Sequence, residues 1–108
     1  MFLNNMATLA RFSSDKMGKS TLVAGEFLYA GLNSFEPGQE HAPHAHAGQD
    51  KLYVVLEGNG VVRIAEQAER VGPGDAAFAP AGVLHSMSNP GPARLVVMVV
   101  LGPPPSAR

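Results

Sequence analysis

Apolar residues along this chain gather in short runs of about a strand's length, divided by glycine and proline, with no long helical repeat. The stretch NMATLARF, Asn5 to Phe12, is the exception: Met6, Leu9 and Ala10 share one face and predict a short N-terminal helix. STLVAGEFLYAGLNSF is rich in β-branched and aromatic residues and is broken by Gly25 and Gly31, which predicts two short strands or one bent one. KLYVVLEG and VVRIA flank GNG, an Asn-Gly turn that predicts a hairpin between them. VGPGD, the AG after Pro80, and NPGP mark further turns, placing strands at AAFAP, VLHSMS and ARLVVMVVL. Many short strands between Gly/Pro turns predict an all-β sandwich or barrel.

Two runs, LYVVL and LVVMVVL, are apolar at every position. A strand with one face in a core and one in water alternates, so both faces here are expected to be covered. The outer cover is expected to be a second subunit, making a homodimer. An N-terminal segment folded across the outer face explains the same pattern. The closing GPPPSAR shows no packing pattern, so a flexible tail is expected over residues 103–108 after a single domain over residues 1–102.

Composition narrows the chemistry. With 108 residues there is room for one modest core. A net charge of −1 with dispersed basic residues argues against a nucleic-acid surface. No apolar run is long enough to span a bilayer, and the opening MFLNNMATLARF is unlike a signal peptide, so a cytoplasmic protein is expected. Cysteine is absent, which removes thiolate metal sites and Cys nucleophiles. A metal would have to be held by His and carboxylate, favouring Zn, Fe, Mn, Ni or Cu.

The histidines are His41, His44, His46 and His85. On a strand His44 and His46 would point to one face, close enough to share an ion, although a surface or hydrogen-bonded role explains such a pair equally well. His41 has the wrong parity for that face and reads as an exposed loop residue, unless AP before His44 is irregular.

The stretch GQEHAPHAHAGQDKLYVVLEG, Gly38 to Gly58, resembles the first signature of the cupin superfamily, with its Gly, His-x-His and closing Gly. GDAAFAPAGVLHSMSN, Gly74 to Asn89, resembles the second at Gly74, Pro80, Gly82, His85 and Asn89. The resemblance implies a double-sheet jelly-roll barrel. It also implies one divalent metal held inside the barrel by His44, His46 and His85. The likeness is to small bacterial single-domain cupins; the family spans dioxygenation, isomerisation, epimerisation and decarboxylation, which implies a small-molecule ligand and a metal-dependent enzyme, for instance of dioxygenase, isomerase or epimerase type.

The family's acidic ligand falls on Lys51, and there the pattern breaks. A protonated ammonium has no lone pair and repels a cation. Three arrangements follow: a metal on three histidines alone, a metal-free pocket that holds an organic anion, or a Lys51 turned away to pair with Glu40, Asp50 or Glu57. In the first, Lys51 would steer a substrate anion. Asp50 would replace the missing carboxylate only through a bulge. Tyr53 shares the face of Lys51, and its hydroxyl either donates to substrate or belongs to a core aromatic. Phe35, Phe78 and Met87 are expected to wall the cavity or pack the core, and Arg63 and Arg94 to be solvated. Gln39 and Gln49 are within reach of the pocket mouth but are expected to be solvated loop amides. Rival readings are a binding protein without catalysis and an assembly module whose pocket is filled by side chains.

Overall fold

In the computed structural model, which describes residues 1–105, a single 3-10 turn at Met6–Leu9 is followed by strands β1 Gly18–Ala24, β2 Tyr29–Phe35, β3 Glu40–His44, β4 Asp50–Glu57, β5 Gly60–Ile64, β6 Gln67–Val71, β7 Ala76–Ala79, β8 His85–Ser88 and β9 Leu95–Gly102. They form two antiparallel sheets, one ordered β1-β2-β9-β4-β7 and the other β3-β8-β5-β6. This is the expected all-β jelly roll. The core lies between the sheets, where Phe35, Tyr53, Val55, Val62, Met87, Leu95, Val97 and Val99 pack together.

The apolar run of β9 now has its explanation. Its inward residues, Leu95, Val97 and Val99, join the core, while the alternate residue Val96 is equally buried on the outer face. The N-terminal segment supplies that outer cover. Its 3-10 turn lies against β4 beside Leu56, Leu9 O accepts a hydrogen bond from Ser20 Oγ, and a Cβ at Gly18 would overlap the Arg11 carbonyl. The cover is partial: Leu52 on β4 and its register partner Phe78 on β7 are 37% and 53% exposed. Phe78 therefore faces away from the cavity, contrary to expectation, because β7 turns Ala77 and Ala79 inward.

The predicted N-terminal helix shrinks to one turn. Asn5 enters it in the left-handed region and Ala10 leaves it extended, as a segment laid flat across a sheet requires. The hairpin predicted across GNG does not form either. β4 and β5 belong to different sheets, and Gly58, at φ 79°, turns the chain from one sheet to the other. A Cβ there would overlap the Arg94 carbonyl, so the local turn serves a sheet crossing. The hairpin is instead β5–β6, closed at Ala65–Glu66, and β6 has no counterpart among the predicted strands. Its sequence, QAERV, lacks apolar alternation because it is a polar edge strand, exposed at all but its last residue.

Within the expected tail, Pro103 O accepts a hydrogen bond from Gln49 Nε2, while residues 106–108 lie outside the described residues. Among the described residues no helix is long and apolar enough to cross a membrane.

Candidate metal centre and its cavity

Strands β3 and β8 bring distant histidines together: His44 pairs in register with His85, and His41 with Met87. Between His41 and His44 the register shifts, and Pro43, which has no N–H to give the ladder, stands in that irregularity. The shift undoes the parity objection to His41, which lies in β3, half-buried, its ring 4.1 Å from that of His44. The proline is the signal from which this could have been read.

His46 lies beyond the end of β3, so a shared strand face is not what joins it to His44. The loop holds it instead: His46 O accepts from Gly82 N at 3.0 Å, and Asp50 Oδ1 accepts from Ala81 N at 2.9 Å. These bonds tie the loop before β4 to the turn before β8, which delivers His85. Asp50 is thereby spent on the loop and does not replace the missing carboxylate. Ligand nitrogens of His44, His46 and His85 lie within 4.8 Å of one another.

Their chemical state follows from the backbone. His44 Nδ1 lies 2.8 Å from Ala42 O, and His85 Nδ1 lies 2.9 Å from Val83 O. A carbonyl only accepts, so each Nδ1 carries the proton and each Nε2 keeps its lone pair. Both Nε2 atoms are buried and have no hydrogen-bond partner. Burial, reinforced by the charge of Lys51, holds His44 down to about 4, and lowers His85 in the same way. At neutral pH the three imidazoles are therefore uncharged, and those of His44 and His85 keep their Nε2 lone pairs in the buried interior. That donor set fits a divalent transition ion.

The facing sheet contributes Lys51 and Tyr53 from β4. Both point inward opposite the small Ala79 and Ala77 of β7, whose size leaves them room. Lys51 is only 4% exposed, its Nζ 4.7 Å from the centre of the Tyr53 ring. Among the described residues the one ion pair joins Arg94 to Glu36, so Lys51 pairs with none of Glu40, Asp50 and Glu57. Burial, then the charge of Lys19, lowers its pKa to about 8. The Tyr53 hydroxyl is buried without a partner, 6.0 Å separates its ring from that of His85, and burial raises its pKa, so it stays a neutral phenol.

A cavity of about 310 Å³ opens beside the cluster, lined by Lys19, Tyr29, Asn33, His41, His46 and Lys51 among others. It is not filled by side chains, as an inert assembly module would require. Gln39, expected in solvent, instead ties the N-terminal segment down by donating to Ser13 O and accepting from Glu36 N.

The model of the cupin domain matches residues 31–101, which include most of β2, all of β3 to β8, and every one of these site residues except Lys19 and Tyr29. The chain is a cupin. Among solved structures, this cupin is similar to TT1209 from Thermus thermophilus, at 38% identity and a TM-score of 0.92, with 97% of this chain and 100% of that one covered. It also shares its fold with KdgF from a Halomonas species, at 23% identity and a TM-score of 0.84, covering 98% and 96%. A predicted oxalate decarboxylase from Thermotoga maritima has the same fold at 23% identity and a TM-score of 0.76, covering 81% and 80%. No curated protein matches the chain.

Proposed function

We propose that this cupin is a metal-dependent enzyme acting on a small organic molecule, with one divalent transition metal held by His44, His46 and His85. The observation that carries this reading is the pair of buried Nε2 lone pairs on His44 and His85, each left without a donor by a backbone-locked tautomer. Two such acceptors in a dry interior call for an electrophile. When bound, the metal would supply Lewis-acid or oxygen-activating chemistry, of the kind used in dioxygenation, isomerisation or epimerisation. The chain's own groups then bind and orient the substrate. Lys51 holds an anionic oxygen such as a carboxylate or enolate, the Tyr53 hydroxyl donates a hydrogen bond to a neighbouring oxygen, and the apolar core beneath them excludes water.

Element analysis of protein purified without a nickel column tests this. Near-stoichiometric Zn, Fe, Mn, Ni or Cu is expected, lost in both His85→Ala and His44→Ala. A wild-type protein that carries none of these metals and takes up none when they are added overturns the reading.

Lys51 itself favours a second reading, a cupin that binds an organic anion without metal or turnover, because a buried ammonium stands where the family places a carboxylate. Ligand binding that survives chelation, in a protein that takes up no metal, would select it. We also propose that the exposed Leu52–Phe78 pair of the five-stranded sheet is covered by a second copy, giving a homodimer, and that the protein works in the cytoplasm as a single domain over residues 1–102. Light scattering showing a monomer at micromolar concentration would remove the dimer.

A further inference from the structure

We propose that the cavity beside the histidine cluster takes a small dicarboxylate, one carboxylate held at Lys51 and the other at Lys19, with His41 as a hydrogen-bonding partner. The inference deepens the reading of this cavity as a substrate site and names the substrate class.

Lys19 and Lys51 both line this cavity, and none of its lining residues is Asp or Glu. Glu40, which shares the neighbouring groove with Lys19, makes no ion pair with it. A buried ammonium without a counter-charge is expensive, and a charge-assisted bond to a carboxylate offsets that cost. The charge of Lys19 is felt at Lys51, where it adds to the effect of burial in lowering the pKa. His41 lines the same space, and its Nδ1 is buried with no hydrogen-bond partner. Three polar groups thus line one cavity, and among the described residues each lacks a partner of the kind a carboxylate supplies.

Sheet order places the two lysines on separate strands of one sheet. Lys19 lies on β1 and Lys51 on β4, with β2 and β9 between them. Three strand spacings put their backbones about 14 Å apart across the sheet before curvature. They also differ along the strands, because Lys19 pairs with Asn33 of β2 whereas Lys51 aligns, through Leu101, with Tyr29. The two side chains reach one cavity from separate strands, so a single small ligand can touch both. A cavity of about 310 Å³ has the size of a small-metabolite pocket.

Calorimetry of glutarate, adipate and malonate, each against the monocarboxylate of the same carbon number, tests the proposal on chelated and on zinc-loaded protein. At least one of glutarate, adipate and malonate is expected to bind at least about tenfold more tightly than its monocarboxylate. Lys19→Gln should abolish the advantage while leaving monocarboxylate affinity within about twofold, and Lys51→Met should weaken both classes. Lys19 is exposed, so its replacement leaves the fold intact. Equal affinity for mono- and dicarboxylates, or an advantage that survives Lys19→Gln, overturns the proposal whatever the metal content. A dicarboxylate preference in protein that takes up none of Zn, Fe, Mn, Ni and Cu supports it and instead removes the metal reading.

Discussion

Replacing Lys51 with methionine removes a charge from a site where only 4% of the residue's surface is exposed and no carboxylate answers it. Burial and the charge of Lys19 lower the ammonium from its ordinary 10.5 to about 8. At about 1.4 kcal/mol per unit, keeping that group protonated at pH 7 costs the folded state roughly 3 kcal/mol. Loss of the contact over the Tyr53 ring returns about 1 kcal/mol, and methionine fills nearly the same volume. Lys51→Met should therefore stabilise the metal-free protein by about 2 kcal/mol, or on the order of 10 °C in Tm for a domain of this size. The pH dependence has a definite sign. Below pH 8 both folded and unfolded wild-type chains carry the proton and the full penalty stands. Between about 8 and 10.5 the unfolded chain still holds the proton that the folded one has released, so wild-type stability rises with pH. The gap between variant and wild type should thus be widest at pH 7, shrink by about 1.4 kcal/mol per pH unit above 8 and close near pH 9.5. Urea unfolding of both proteins in chelator at these pH values reads it directly. A variant no more stable at pH 7, or a gap that does not narrow by pH 10, would refute the picture of an unpaired buried ammonium.

The histidines impose the opposite boundary: burial holds His44 at about 4 and His41 at about 3, so unfolded histidines protonate first as pH falls below 6.5. Metal-free protein should lose stability between pH 6.5 and 5, where carboxylates are still ionised, and a flat urea midpoint across that window would count against neutral buried imidazoles. Lys51→Glu restores a carboxylate beside the cluster and should tighten zinc by about tenfold or more in competition with a chromogenic chelator; unchanged affinity would mean that position 51 does not face the ion. Asn89 is buried and donates to Phe35 O and Ala93 O while accepting from Gly91 N, so Asn89→Ala should cost about 2–4 kcal/mol in thermal unfolding. A loss below about 1 kcal/mol would show that these bonds do not hold the loop before β9.

Much of the barrel is legible in the sequence because strand-length apolar runs and Gly/Pro turns are local signals. β7, β8 and β9 fall where AAFAP, VLHSMS and ARLVVMVVL place them. What sequence misses is non-local. GNG has hairpin chemistry, yet Leu95 and the Arg94 carbonyl crowd Gly60 and Gly58, and the chain crosses to the other sheet there. The apolar outer face asks for a cover, and sequence alone leaves two candidates, the N-terminal segment or a second copy. Leu56 and Ser20 meet the N-terminal segment, while Leu52 and Phe78 remain exposed. The same division holds at the site. His44, His46 and His85 are readable from family spacing, but parity sets His41 aside until the shift at Pro43 brings it back. Lys19 has no local signal at all, because only the order β1-β2-β9-β4 sets it on the same cavity as Lys51. Cations that sequence scatters along the chain are gathered here by topology, on the side of the cavity where the family's acid is missing. Lys51 therefore reads better as half of an anion site than as a damaged metal ligand, since a lost carboxylate alone would not account for a second lysine facing the same space.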